Sequence, residues 1–361
     1  MKISHGKYRA GKFAAFSLIE MMVAMGILSV LMLMLTVLLD QVQKSWRYSE
    51  SRISQFREAR VAFDLMTKNI GQASLNTYWD LRDENDDGVY DGYFRTSELH
   101  FISLNNAATS LPRSATQEPI GQAVFFQAPL GFSTNYRNLN NLFNGRGYFV
   151  SFGSDKLFKP SFVKSPDRYR FRLMEFRPPA ESNQVFQDGQ VERDKGEPQE
   201  FTEWYKQALS VGKGNFESHL NPLAENIIAL VVSPRDSLED PNSSRGETFS
   251  KIAPNYKYDS NTDVGAGGGN DDFANYSQQV PPLIRLTMVA IDETSAVRQE
   301  SGGSIPTDIN TALSGLFART ENYSKDVEEL SNRLNKEGVA INHKVFSSLV
   351  MLRSAKWSGS K

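Results

Sequence analysis

From Met21 to Leu39 the chain carries no charged side chain, and only Gly26, Ser29 and Thr36 interrupt an otherwise apolar run. At about 1.5 Å of rise per residue, a helix of this length nearly spans a hydrocarbon core of about 30 Å. Lys2, Lys7, Arg9 and Lys12 precede it, residues 1–15 hold no acid, and Asp40 follows it. A basic flank on that side places the N-terminus in the cytoplasm and makes the run a single transmembrane helix. A cleavable secretory signal has a shorter apolar stretch and a small-residue site after it, and neither is present. A plain signal anchor needs only the basic flank and the apolar run. It leaves Glu20 unexplained. A carboxylate costs about 2.5–3.5 kcal/mol at a bilayer centre, less near an interface, so Glu20 calls for a partner.

Glu20 ends the string Phe16-Ser17-Leu18-Ile19-Glu20, which resembles the N-terminal motif of type IV prepilins. The resemblance implies cleavage between Ala15 and Phe16 by a prepilin peptidase, followed by N-methylation of Phe16. Glu20 becomes the fifth residue of the mature chain, where the family pairs this carboxylate with the N-terminal amine of a neighbouring subunit. Two charges that are each costly in a dry setting become tolerable as a hydrogen-bonded pair, and the pairing fixes axial register. The sequence departs from the family pattern twice. Ala15 stands where glycine is usual, and Val37 stands where major pilins often carry a helix-kinking proline; the second fits a minor subunit. The implied partners are other pilin-like subunits, the peptidase, an inner-membrane assembly platform and membrane lipid.

Composition narrows the remainder. The 361 residues supply ample core material, and 40 basic against 42 acidic residues give a net charge of -2. Nothing in that balance draws the chain to nucleic acid. With no cysteine, disulfides, thiol chemistry and cysteine zinc sites are excluded. His5, His100, His219 and His343 are too dispersed to suggest a histidine metal centre.

Beyond the apolar run, Val42, Trp46, Ile53, Phe56, Phe63, Met66, Ile70 and Ala73 recur at spacings of three, four or seven. That is one stripe of an amphipathic helix, expected to pack on the protein's own sheet. The expected organisation is a leader at 1–15, a transmembrane half-helix at 16–40, an amphipathic half-helix at 41–76 and a β-rich periplasmic or extracellular domain at 77–361. Strands are predicted at 97–104, 121–127, 146–152, 168–173, 226–232, 283–291 and 345–352 from their β-branched and aromatic content. Alternation in Arg168-Tyr169-Arg170-Phe171-Arg172-Leu173 predicts one solvated and one buried face. Residues 180–200 and 233–281 read as irregular insertions. A short helix is predicted over 325–337, capped by Ser324 and stopped by Gly338. The fold class is therefore α+β, a long N-terminal helix on an antiparallel sheet domain. Glu58-Ala59-Arg60 leading into Phe63-Asp64, with proline before the Leu283–Ile291 run, resembles the minor pseudopilins of type II secretion known by the letter J and the W-type minor pilins. Asn76-Thr77-Tyr78-Trp79 and the stretch from Val345 to Ser354 are similar to the Verru_Chthon cassette protein C family.

Asp83, Asn85 and Asp87 fall at positions 1, 3 and 5 of an EF-hand-type loop, with Gly88 at 6, the Val89 carbonyl at 7 and Asp91 at 9. Phe94 occupies position 12, where a bidentate glutamate belongs, so either Ca²⁺ binding or a solvated acidic turn explains the string. No serine-nucleophile elbow or zinc-protease helix occurs, which points away from an enzyme. The expected function is a minor pilin or pseudopilin assembling through its N-terminal helix into a type IV pilus-like filament or a secretion pseudopilus. The competing reading is a signal-anchored periplasmic binding module that never enters a filament.

Overall fold

The apolar run and the stripe after it form one continuous helix, α1 (Leu18–Ile70), in a computed structural model of the chain. The structure describes residues 17–82, 87–90, 92–113, 117–136, 138–139, 141–160, 162–185, 202–209, 219–235, 250, 252–261, 277–300 and 302–355. It separates into two units, Met1–Ser54 and Gln55–Lys361. In the first, every described side chain of α1 from Leu18 to Trp46 is exposed, and an Asp40–Lys44 ion pair bridges one turn at 2.8 Å.

The second unit begins inside α1. Ala59, Ala62, Phe63, Met66 and Ile70 are buried here, whereas Val42 and Trp46, earlier on the predicted stripe, are exposed. The helix stops at Ile70, just before Gly71, rather than running to 76. After it come β1 (Tyr78–Arg82), β2 (Gly92–Thr96), β3 (Ile102–Leu104), α2 (Ala107–Ser110), β4 (Gln117–Pro129), β5 (Phe143–Ser154) and β6 (Tyr169–Phe176). There follow α3 (Glu203–Leu209), β7 (Leu220–Glu225), β8 (Ile227–Arg235), β9 (Tyr258–Asp259), β10 (Leu283–Ile291), α4 (Glu293–Arg298), α5 (Thr307–Leu313), α6 (Tyr323–Leu334) and β11 (His343–Met351).

All described strand pairs are antiparallel. They make a β1–β2 hairpin, a six-stranded sheet in the order β7-β6-β5-β4-β3-β9 and a three-stranded sheet in the order β11-β10-β8. The α+β, helix-then-antiparallel-sheet arrangement expected from sequence is the one observed, and it agrees with a pilin-like fold.

The chain crosses from the larger sheet to the smaller through a single residue, Asn226, which separates β7 from β8. Its φ of 60° lies in the left-handed region that asparagine tolerates better than most residues. Its N–H donates to the Phe171 carbonyl of β6 at 2.7 Å, and its carbonyl accepts from the Ile291 N–H of β10 at 2.9 Å. One backbone unit thus binds both sheets. A second link comes from Gln122, at the β-bulge in β4, whose side-chain oxygen accepts from the Val232 N–H of β8 at 2.8 Å.

The helix is fastened to each sheet separately. On the smaller sheet, Phe63 meets Phe346 of β11 with ring centroids 6.0 Å apart. On the larger sheet, Asn69 Nδ2 donates to the buried Tyr148 hydroxyl of β5 at 2.7 Å. That hydroxyl donates to Glu175 of β6 at 3.0 Å, and Arg146 meets the same carboxylate at 3.2 Å. Burial, and then the Glu175 charge, push the Tyr148 phenol far above its ordinary range, so it stays a neutral donor. Elsewhere in the core, Phe125 stacks on Tyr205 at 4.4 Å beside Trp204 and Phe176. Gly147 lies opposite Phe125 in the β4–β5 register, and a Cβ there would come within 2.2 Å of the Phe125 ring.

Several local expectations need correction. Only residues 102–104 of the predicted 97–104 strand join a sheet, because the preceding chain is held by side-chain bonds from Asn76 and Ser97. The arginine face of β6 is not solvated. Arg170 and Arg172 are buried, because carboxylates from β7, α4 and the turn after it cover them. The short helix starts at Tyr323 after Asn322, one turn of 3-10 helix having already set its direction, so Ser324 lies inside it. The helix ends at Leu334 with Asn335 as its C-cap, so Gly338, with φ at 94°, lies in the turn beyond and does not itself stop the helix. Of the predicted insertions, 186–201 and much of 233–281 lie outside the described residues.

Candidate functional site

The first turn of α1 explains how an acid begins an apolar helix. Ser17 precedes the helix, and its carbonyl accepts the first helical bond, from Met21 N–H at 3.2 Å. Glu20 Oε2 reaches back to accept the Ser17 N–H at 2.9 Å. This is half of a capping box: a glutamate three residues in satisfies a donor that the helix itself leaves unpaired. A carboxylate there also meets the positive end of the helix dipole. Phe-Ser-Leu-Ile-Glu therefore contains its own local reason to start a helix, besides any role in assembly. Farther along, Ser29 and Thr36 return their hydroxyls to the carbonyls of Met25 and Met32, each at 2.8 Å. No polar hydrogen on these two side chains is left facing an apolar surround.

The span Leu18–Trp46, 29 residues at a mean hydropathy of 2.6, is long and apolar enough to cross a membrane. The profile of the prokaryotic N-terminal methylation motif matches residues 11–36. The chain carries a type IV prepilin-like N-terminus. That motif takes in Glu20 and much of the apolar helix, it agrees with single-pass anchoring, and it marks a structural class of protein rather than an enzymatic one. No curated protein and no solved structure matches the chain. Ala15 and Phe16, the expected cleavage and methylation positions, lie outside the described residues, as do Asp83, Asn85 and Asp91 of the acidic loop.

That loop connects β1 to β2. Of its described members, Asp87 Oδ1 accepts the Val89 N–H at 2.8 Å, and Val89 is exposed. Among the described residues no group of three or more acidic or histidine side chains converges to hold a metal ion. His100 has a different use. It is fully buried, with Nε2 2.7 Å from Asp259 and Nδ1 accepting from Trp204 Nε1 at 3.1 Å.

The sequence did not point to the polar cleft where α1 meets the two sheets. Glu58, Ala59, Arg168, Glu225, Asn226, Ala290, Ile291 and Glu293 enclose about 230 Å³. Glu58 was legible only as part of a Glu-Ala-Arg string, and Asn226 only as the residue before an apolar strand.

Proposed function

We propose that the chain is a minor pilin or pseudopilin that is cleaved before Phe16, methylated there and assembled through α1 into a type IV pilus-like filament or secretion pseudopilus. The observation that carries this reading is the coincidence of the methylation motif at 11–36 with an α1 whose residues Leu18–Trp46 are covered by nothing among the described residues. An apolar helix left uncovered by its own fold needs lipid or other helices. Insertion puts residues 1–15 in the cytoplasm and the sheet domain across the membrane. The J-type, W-type and Verru_Chthon resemblances all favour a minor role, as does Val37 in place of proline.

In a lone subunit the Ser17 N–H satisfies one Glu20 oxygen, and the other is free for a neighbour's methylated amine. Glu20→Ala is expected to be processed and inserted at normal abundance yet to lose co-purification with other pilin-like subunits. Sequencing of the mature N-terminus by mass spectrometry reads the first step, and pull-down reads the second. Unaltered complexes and output in Glu20→Ala, or an intact Met1 in the mature protein, would favour the bare signal anchor with a binding domain. On the same reading the β1–β2 connection takes Ca²⁺, a proposal that rests on the spacing of its carboxylates. Calcium should then raise the melting temperature in the wild type and not in Asp87→Ala, by about 2.7 kcal/mol of added stability at a hundredfold excess over Kd. Equal melting with calcium and with chelator would leave an acidic turn.

A further inference from the structure

The connection from β5 to β6, residues 155–168, holds four basic and two acidic side chains in a chain whose net charge is -2. Lys159 closes it from within. Its ammonium group is only 11% exposed and lies 3.2 Å from Asp155 and 3.3 Å from Asp167. It also donates to the carbonyls of Ser165 and Pro166, each at 3.0 Å. Asp155 accepts the Arg168 N–H at 3.0 Å as well, so both acids of the connection are engaged inside it. A loop held shut by its own side chains is a shape that recurs at functional surfaces.

The apex faces outward. Phe162 is 82% exposed, more than any other large apolar side chain among the described residues, and Val163 beside it is exposed too. Lys156 and Lys164 are also exposed, and neither has an acidic partner among the described residues. A loop that neutralises its own acids, yet holds a phenyl ring in water between two unpaired ammonium groups, fits a surface that is apolar beneath and negative on top.

A second, independent observation says which surface. Arg168, at the base of the loop, lines the same cleft as Glu58 and Ala59, and Ala59 is the first buried residue described on α1. The loop therefore stands at the end of the sheet domain where α1 enters it. Glu58 is 12 residues beyond Trp46, the end of the apolar span, which is about 18 Å of helix. With α1 as an anchor, this end of the domain is tethered beside the bilayer, whatever the angle between the two units.

We propose that this loop docks on the anionic lipid surface of the membrane that holds α1. Phe162 and Val163 enter the boundary between headgroups and acyl chains, and Lys156 and Lys164 meet lipid phosphates. An acidic protein face would take the lysines equally; the position beside the entry of α1 favours lipid. One phenyl ring and two ammonium groups hold lipid weakly by themselves, and the tether supplies the effective concentration that makes a weak contact sufficient. The inference rests on α1 as a membrane anchor and not on its assembly into a filament.

The chain has no cysteine, so a single nitroxide on Val163→Cys reports the apex in full-length protein embedded in lipid nanodiscs. In discs containing phosphatidylglycerol, its collisions with oxygen should rise and those with a water-soluble nickel chelate should fall, relative to discs of phosphatidylcholine alone. Lys156→Gln with Lys164→Gln should weaken docking about thirtyfold and return the label to its phosphatidylcholine values. Phe162→Ser should move the label toward water in the same discs. All these positions are exposed, so melting should match the wild type. Equal accessibilities in the two kinds of disc, or an anionic-disc signal that the lysine variant leaves unchanged, overturns the proposal. Shielding that appears only when a second copy of the chain shares the disc overturns it in favour of a subunit contact. A chain that fails to enter the disc overturns anchor and docking together. An uncleaved, unmethylated N-terminus in cells, combined with an immersed label, would remove the assembly reading and leave the docking loop standing.

Discussion

Met32 and Met66 belong to one helix, are the same residue type and have opposite surroundings. Met32 is 60% exposed and Met66 not at all. From Leu18 to Leu39 apolar residues go all the way round α1, and none of the described residues covers them. Beyond Asp40 they narrow to a stripe, and from Ala59 to Ile70 two sheets close over it. Apolarity alone therefore says that a segment avoids water, while its angular pattern says what takes the place of water. The change falls after Asp40, where charge returns to the sequence.

The largest test of that contrast pairs Met66→Ala with Met32→Ala. Met66→Ala should lower the unfolding free energy of the sheet domain by about 2–5 kcal/mol, the usual cost of emptying a core position. Met32→Ala should leave it within about 0.5 kcal/mol, as for an uncovered position. Chemical denaturation in micelles, followed by near-ultraviolet circular dichroism, reads both. Comparable losses would mean that Met32 too is a covered core position.

A smaller effect is expected where the helix is pinned by polar rather than apolar contacts. Tyr148→Phe removes the hydroxyl between Asn69 and Glu175 and should cost about 1–3 kcal/mol, since two buried groups lose a partner. The same measurement in an Asn69→Ala background should show a reduced penalty, because one of the two is then already gone. Full additivity would indicate that the two groups do not act through each other.

The smallest effect concerns pH. The hydrogen bond from Arg170 holds the Glu300 carboxyl below its ordinary range against some burial. A depressed carboxyl stabilises the fold above its unfolded pKa, about 4.3, and the contribution disappears as pH falls through the lower folded value. Glu300→Gln should therefore be less stable than wild type at pH 7, and the gap should close as the solution is acidified below about pH 4. A gap independent of pH would place the effect in packing.

What was legible in the sequence was local. Charge-free length announced α1, Phe16 to Glu20 announced the prepilin N-terminus, and the β-branched run Leu283–Ile291 gave its strand to the residue. What was not legible depends on partners far along the chain. Arg170 and Arg172 seemed to be surface residues because the acids that cover them lie more than 50 positions later. The cleft joins Glu58 to Asn226 and Glu293, and no window of sequence contains all three. Asn226 carried a faint signal, a left-handed-tolerant residue between two strand-like runs, but alternation of side chains cannot show that a strand changes sheets.

Helix α1, the larger sheet and the smaller sheet are joined in three pairs: at Asn69 and Tyr148, at Phe63 and Phe346, and at Asn226. Three members joined pairwise form a triangle, which in a truss is the one polygon that cannot change shape without breaking a joint. A pull along α1 is therefore shared between both sheets from the outset, and neither can peel away while the Asn226 corner holds. Single-molecule extension from the helix end should show one rupture event rather than two. A second, weaker peak in Asn226→Pro, which has no N–H to give the Phe171 carbonyl and cannot take a φ of 60°, would reveal the corner giving way first.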